Sequence, residues 1–483
     1  MTLDPAACYR ALVSRDARFD GRLFVGVTST GIYCRPVCRV RTPRAANCRY
    51  FAHAAAAEAA GFRPCLRCRP ERAPGAAPMD APQRLAWAAA QRIEAGALDD
   101  GSLAALAGRL GVTDRHLRRV FADAFGVAPV AFAQTQRLLL AKRLLAETAL
   151  PITEVALAAG FRSLRRFNAL FRERYSLAPG KLRRAAPPAA DDDALQLAID
   201  YRPPFDWPRL LAFLAGRCVA GVEAVADGEY RRSVRLTQPQ GEARGWLAIR
   251  HDDDAGIIRL RVAPSLTRAL PAVLAGVRRL CDTGCEPAAV AAALGPLATE
   301  APGLRVPGAF DGFEMAVRAV LGQQVTVKAA HTLAGRLVAA FGSPLATPFA
   351  DITHAFPPPA RLAACALEDI AALGIVRQRA TAILALARAS AAGALDLGPA
   401  ADVPATLARL GALPGIGPWT AQYIALRALA WPDAWPSGDV ALIKALGAAN
   451  AREADAMSLR WRPWRAYATL HLWRRLGETS SGD

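Results

Sequence analysis

Lysine is nearly absent: of 60 basic residues only Lys142, Lys181, Lys328 and Lys444 are lysine, and the rest are arginine. That bias, with abundant alanine, is what a GC-rich genome imposes, so the net charge of +18 alone identifies no partner. Also missing is any apolar run of membrane-span length without an arginine or proline inside it, and the first residues lack a signal-peptide pattern. The expectation is a cytoplasmic protein with no membrane partner. Ten cysteines form no even extracellular framework. In a reducing compartment, clustered thiols bind metal rather than pair.

What is present suggests about three or four domains in 483 residues, and an apolar fraction of 53% is ample for several cores. Charge is unevenly spread. Residues 1–185 hold 30 basic and 14 acidic side chains, net +16, whereas the remaining 298 hold 30 and 28, net +2. The first part is therefore the expected phosphate-binding part.

The chain reads as three pieces. Residues 1 to about 74 contain a strand-like run at Leu23–Thr28 and an alanine-rich helix near Ala54–Ala60. A Pro/Gly/Ala-rich linker follows at Ala73–Pro82; Gln83–Arg184 has helical spacing throughout; a second break falls at Ala185–Asp193. The remainder starts as a strand-and-helix mixture and becomes mostly helical after about Arg268. Both linkers predict tethering rather than rigid docking.

Cys34, Cys38, Cys65 and Cys68 stand as C-x3-C, about 26 residues, then C-x2-C, which is ligand spacing for tetrahedral zinc. Spacing alone describes a closed structural site and marks no ligand as special. Cys281 and Cys285 repeat C-x3-C without a second pair, while Cys8, Cys48, Cys218 and Cys365 read as core or surface thiols.

The middle piece repeats a short helix, a glycine and a second, basic helix. Leu103–Leu110, Gly111 and an N-cap at Thr113 precede Arg115, His116, Arg118 and Arg119; Ile152–Ala159, Gly160 and an N-cap at Ser163 precede Arg165, Arg166 and Asn168. Two such units about 49 residues apart are two helix-turn-helix motifs. With the closing pattern FNALFRERYSLAPG at Phe167–Gly180, this piece resembles the DNA-binding domain of AraC-type regulators. The resemblance implies two recognition helices in successive major grooves, read by a monomer, with the named residues as candidate base or phosphate contacts.

The stretches FVGVTSTGIYCRPVCRVR and GFRPCLRCRP are closely similar to the N-terminal domain of the Ada alkylation-response regulators. That resemblance implies a Zn2+ site in which Cys34, the first ligand, accepts a methyl group from a DNA methylphosphotriester, held ready by Cys38, Cys65 and Cys68. Arg35, Arg39, Arg41, Arg67 and Arg69 crowd these ligands and are expected to bind flanking phosphates.

Near the C-terminus, LPGIGPWTA at Leu413–Ala421 is a helix-hairpin-helix signature, in which Gly415 and Gly417 let backbone N–H groups face a DNA phosphate. Asp439 follows in WPSGDVALIK. Together with YRPPFDWPRLLAFLAGRCVAGVEAV, FEMAVRAVLGQQVTV and WRPWRAYATLHLW, residues 194–477 resemble the AlkA-type 3-methyladenine DNA glycosylases. The resemblance implies Asp439 as the catalytic carboxylate, Trp419, Tyr423 and Trp473 in the base pocket, and Gln324 where relatives insert a wedge. Gly438 and Val440 depart from the larger neighbours that Asp439 has in relatives. Trp419 stands where lyase-type relatives carry the Schiff-base lysine, so a monofunctional glycosylase is expected. No PCHR-type motif of O6-alkylguanine methyltransferases occurs, and no four-cysteine iron–sulfur pattern follows the glycosylase region.

The expected fold is multidomain and mainly α with α+β parts. Residues 1–74 form a small zinc-bound α/β domain, 83–184 an all-α double helix-turn-helix domain, 194–300 an α+β subdomain and 301–477 an all-α helix-hairpin-helix core. The expected partners are double-stranded DNA and RNA polymerase, with a monomeric chain. Two alternatives stay open: a zinc-containing AraC-type transcription factor with a non-catalytic glycosylase-like module, and a glycosylase whose zinc is purely structural.

Overall fold

The structure is a computed structural model that describes residues 4–74, 84–183, 194–238, 241–398 and 400–479. The expected linker Ala185–Asp193 lies outside the described residues, as does the expected one at Ala73–Pro82 beyond residue 74. The chain divides into two compact units, Met1–Arg202 with Leu236–Ala243 and Asp252–Ala275, and Pro203–Arg235 with Arg244–His251 and Gly276–Asp483. No helix among the described residues is long and apolar enough to cross a membrane.

The first unit opens with a four-stranded sheet in the order Cys48–Phe51, Phe24–Val27, Ile32–Cys34, Arg63–Pro64. Gly31 at φ +64° closes the hairpin between the second and third strands of that order. A Cβ at Gly26 would come within 2.9 Å of the Phe51 and Phe62 rings, so only glycine admits this aromatic cover. Ile32–Cys34 runs parallel to Arg63–Pro64, pairing Tyr33 with Pro64. Both strands therefore end side by side, and each runs into one cysteine pair.

The two helix-turn-helix copies follow as expected: Leu103–Arg109 and Asp114–Phe125, then Ile152–Ala158 and Leu164–Tyr175, joined by the 19-residue helix Pro129–Glu147. Thr113 and Ser163 cap the second helix of each copy, their hydroxyls accepting from His116 N and Arg166 N at 3.3 Å. Gly111 and Gly160 turn at φ +70° and +79°. Phe121, Phe125 and Phe132 fill one core, and Phe167, Phe171 and Tyr175 stack edge to face in the other.

The expected tether at residues 185–193 lies outside the described residues. Beyond it, Leu195–Ile199 pairs antiparallel with Ile257–Val262 from Leu195↔Val262 to Ile199↔Ile258, and both strands fall in the first unit. The alternation of Leu195–Ile199 leaves Leu195, Leu197 and Ile199 buried on one apolar face.

The second unit contains a hairpin that pairs Glu223–Ala226 antiparallel, from Glu223↔Arg232 to Ala226↔Glu229, and a helical bundle. Helices Gly312–Leu321, Val327–Phe341, Arg377–Ala391 and Pro418–Arg427 surround a core that includes Val317, Val320, Leu337, Ile383, Leu386 and Ile424. Val440–Leu446 and Arg465–Thr479 complete the face on which the candidate residues gather.

Candidate functional sites

Cys34, Cys38, Cys65 and Cys68 converge, their four sulfurs all within 4.8 Å of one another. A zinc tetrahedron with bonds of about 2.3 Å sets its sulfurs roughly 3.8 Å apart, so the residues fit Zn2+. Two backbone donors point at the sulfurs: Arg35 N to Cys68 Sγ at 3.3 Å and Arg67 N to Cys65 Sγ at 3.4 Å. Such N–H donors favour thiolates. Cys34 is 6% exposed, whereas Cys68 lies nearer the surface.

The arginines around this cluster divide. Arg39, Arg41 and Arg67 are exposed. Arg35 and Arg69 are not available to phosphates as expected from sequence: Arg35 is buried against Asp20 and Asp200, and Arg69 pairs with Glu71 at 3.0 Å and Glu147 at 2.8 Å. Their carboxylate partners, all but Glu71 distant in sequence, gave no local signal.

On the basic helices, Arg115, His116, Arg118, Arg119, Arg165 and Arg166 are exposed and Asn168 is half-buried. Arg118 and Arg119 reach Asp114 and Asp123 only at 3.6 and 3.7 Å. Pairs this long and exposed hold little energy and would yield to a DNA phosphate.

The third constellation lies in the second unit. Asp439 is the N-cap of Val440–Leu446, and three donors converge on its carboxylate: Leu442 N at 3.0 Å and Trp473 Nε1 at 3.1 Å on Oδ1, and Trp419 Nε1 at 2.9 Å on Oδ2. Trp419 stacks on Tyr423 with centroids 5.2 Å apart and planes within 8°, and Tyr423 meets Trp473 at 6.3 Å. Residues from three helices thus form one aromatic wall around a carboxylate. Burial alone would raise the Tyr423 phenol, but the guanidinium groups of Arg427, Arg217 and Arg318 bring it below its ordinary value. Arg427 donates to the Tyr423 hydroxyl at 3.2 Å and is itself fixed on Pro307 O at 2.6 Å. Gly438 turns at φ +79° with open space beside it, and Val440 is 79% exposed, so both departures leave the mouth of this site open.

Beside it, the hairpin between Val403–Gly411 and Pro418–Arg427 needs Gly415 at φ +76°, where a Cβ would also press on Ala382 at 3.0 Å. Gly417 is exposed at the N-cap of Pro418–Arg427, a helix end where backbone N–H groups lack intrahelical partners. Gln324 is exposed at φ +51°, a left-handed non-glycine residue at the tip of a turn. Sequence reading passed over its neighbour Gln323, whose Nε2 donates to Gly415 O and to Thr420 Oγ1, each at 2.9 Å, while Arg379 donates to Gln323 O at 2.5 Å. The doubled glutamine of GQQV was the available signal.

Comparison with known proteins gives four matches along the chain. Residues 7–71 match the metal binding domain of Ada, 106–185 a helix-turn-helix domain, 196–311 the AlkA N-terminal domain, and 317–459 the HhH-GPD superfamily of base excision DNA repair proteins. The chain is 40% identical to the probable bifunctional transcriptional activator/DNA repair enzyme AlkA of Mycobacterium tuberculosis, covering 97% of this chain and 96% of that protein. It is 38% identical to the DNA-3-methyladenine glycosylase 2 of Escherichia coli over 57% of this chain and 95% of the other. Among solved structures, a 3-methyladenine DNA-glycosylase from Archaeoglobus fulgidus shares the fold of 57% of this chain, covering 97% of its own, at TM-score 0.50 and 18% identity.

Proposed function

From the premise that the chain belongs to the family of bifunctional transcriptional activator/DNA repair enzymes, we propose that it repairs alkylated DNA in two ways and reports the damage to transcription. Its C-terminal part hydrolyses the N-glycosidic bond of alkylated purines of the 3-methyladenine type, and Cys34 takes a methyl group irreversibly from DNA methylphosphotriesters. The observation that carries the first activity is the Asp439 carboxylate, held by two indole N–H groups inside an aromatic wall.

Alkylation makes the purine cationic and already a good leaving group, so no general acid is required. The flipped base packs against the electron-rich rings of Trp419, Tyr423 and Trp473 by stacking and cation–π attraction. As the C1′–N bond breaks, its electron pair leaves with the base, and Asp439 stabilises the oxocarbenium-like sugar until water adds there. Gln324 is suited to fill the gap in the duplex, and the N–H groups at Gly415 and Gly417 to hold a phosphate. Trp419 cannot form a Schiff base, so the product is an abasic site.

At the cysteines, bound zinc supplies the charge that keeps thiols ionised at neutral pH. The Cys34 thiolate attacks the methyl carbon, the C–O bond breaks towards phosphate, and the triester returns to an ordinary diester. A thiolate has then become a thioether. At an effective dielectric of about 40 and roughly 6 Å, losing one negative charge changes the interaction with each nearby phosphate by on the order of 1 kcal/mol. Two or three phosphates would tighten promoter binding by the basic helices of residues 114–175, acting in a monomeric chain that recruits RNA polymerase.

Two measurements test this. Base release from methylated DNA should fall about 100-fold or more in Asp439→Asn while DNA binding persists, and borohydride should trap no covalent complex; a module without excision would show neither activity nor loss. Mass spectrometry after exposure to methylphosphotriester DNA should place a methyl group on Cys34. No methyl-cysteine there would return the zinc to a purely structural role.

A further inference from the structure

Charged residues near the cysteines are tied inward to a strand far along the chain. Arg35, next to Cys34, donates Nε to Asp20 Oδ1 at 2.7 Å, Nη2 to the other oxygen of Asp20, and Nη1 to Cys68 O at 3.1 Å and Asp200 Oδ2 at 2.6 Å. The second oxygen of Asp200 accepts from Arg72 Nη2 at 2.5 Å, four residues beyond Cys68. Arg202, 2% exposed, donates to Asp20 O through Nε at 3.1 Å and Nη2 at 2.8 Å. A single carboxylate therefore holds an arginine from each cysteine pair.

A second path runs through the helix that links the two basic units. Glu147 accepts Ala198 N at 3.2 Å and Arg143 Nε at 3.2 Å on one oxygen, and its other oxygen pairs with Arg69, one residue past Cys68. Arg143 Nη2 also donates to Ala198 O at 2.7 Å, and Lys142 on the same helix donates to Glu71 at 2.5 Å and to Cys65 O at 3.3 Å. All of these residues belong to one compact unit, although Ala198, Asp200 and Arg202 lie in the stretch similar to the AlkA N-terminal domain.

We propose that Asp200 is a positioning residue for the methyl-acceptor site: the first strand of the base-excision half braces both cysteine knuckles, and the acceptor site is complete only with that strand docked. This rests on the reading of Cys34 as acceptor. Arg35 also joins the knuckles directly, through its N–H on Cys68 Sγ and its guanidinium on Cys68 O. Without Asp200, Arg35 keeps Asp20 but loses its tie to Arg72, and a guanidinium with its side chain 19% exposed is left uncompensated. The knuckles can then shift against each other, which loosens the metal and displaces the attacking sulfur.

The test uses the full chain loaded with zinc, comparing wild type, Asp200→Asn, Asp200→Glu, Arg72→Gln and the double variant Asp200→Asn/Arg72→Gln. Zinc release to a colorimetric chelator and methyl transfer to Cys34 at saturating methylphosphotriester DNA are followed well below the melting temperature, with base excision as the internal reference. In Asp200→Asn, zinc should leave about tenfold faster and transfer should slow about fivefold, the half-saturating DNA concentration and base excision staying within about twofold. Asp200→Glu should restore most of both rates, and the double variant should be no worse than its worse parent because the two residues share one interaction. Zinc release and transfer both unchanged in Asp200→Asn, whatever its melting temperature, would overturn the brace. Should Asp200→Asn not fold, Arg72→Gln decides, faster zinc release supporting the brace and unchanged release removing it. If wild type acquires no methyl group on Cys34, the acceptor reading fails, and zinc release alone still tests the brace.

Discussion

Glu58, 3% exposed, accepts from the hydroxyls of Tyr33 at 3.1 Å and Thr135 at 3.2 Å, and burial raises its carboxyl from 4.5 to about 7. An acid raised on folding holds a proton that the unfolded chain has released. Its contribution to stability is therefore largest below about 4.5 and is lost as pH rises towards 7, by on the order of 3 kcal/mol. Half-buried His53, lowered to about 4 by desolvation, runs the other way, its contribution present above 6.5 and lost as pH falls. Glu58→Gln should remove only the first trend, so the wild-type advantage in urea midpoint should shrink between about pH 5 and pH 7; a difference independent of pH would contradict it. Residues differ in how legible they were. The four cysteines were readable because their spacing is local, whereas Asp439 was singled out only through the resemblance of the residues around it. Arg35 and Arg69 look like phosphate contacts in sequence because nothing local reveals that Asp20, Asp200 and Glu147 fold against them.

Elements were legible where capping and turn chemistry agreed with apolar spacing. Thr113, Ser163 and the glycines at 111 and 160 placed the starts of both basic helices, because each acts over a single turn. The turn after Gly312–Leu321 was not readable in the same way, since its geometry is imposed by a hairpin some ninety residues on, through Gln323. That link has a measurable consequence. Gln323→Ala removes two hydrogen bonds between the turn and the hairpin and should lower base-excision kcat/KM about tenfold, with KM carrying part of the loss. Gln324→Ala should act through the same turn, so the pair should be less than additive. Full additivity would mean that the hairpin does not position Gln324.

For the molecule as a whole, the charge division was informative: net +16 over residues 1–185 coincides with the exposed basic helices. Replacing Arg115, Arg118 and Arg119 together with alanine should weaken promoter binding and reduce the slope of log affinity against log salt by about 0.9 for each phosphate no longer neutralised. An unchanged slope would assign these arginines to bases or to nothing. The order of the parts was also readable, because each carries its own local pattern, whereas their docking was not, because a proline- and alanine-rich break says only that chain can bend there. Asp200 bears on how such a chain can be assembled from interchangeable pieces. Joining this sensor to a foreign glycosylase at the break of residues 185–193 would offer Arg35 and Arg72 a strange first strand, and only donors with an acid at that one place would suit. The seam along which this protein can be cut and respliced therefore lies at least one strand further on than its composition advertises.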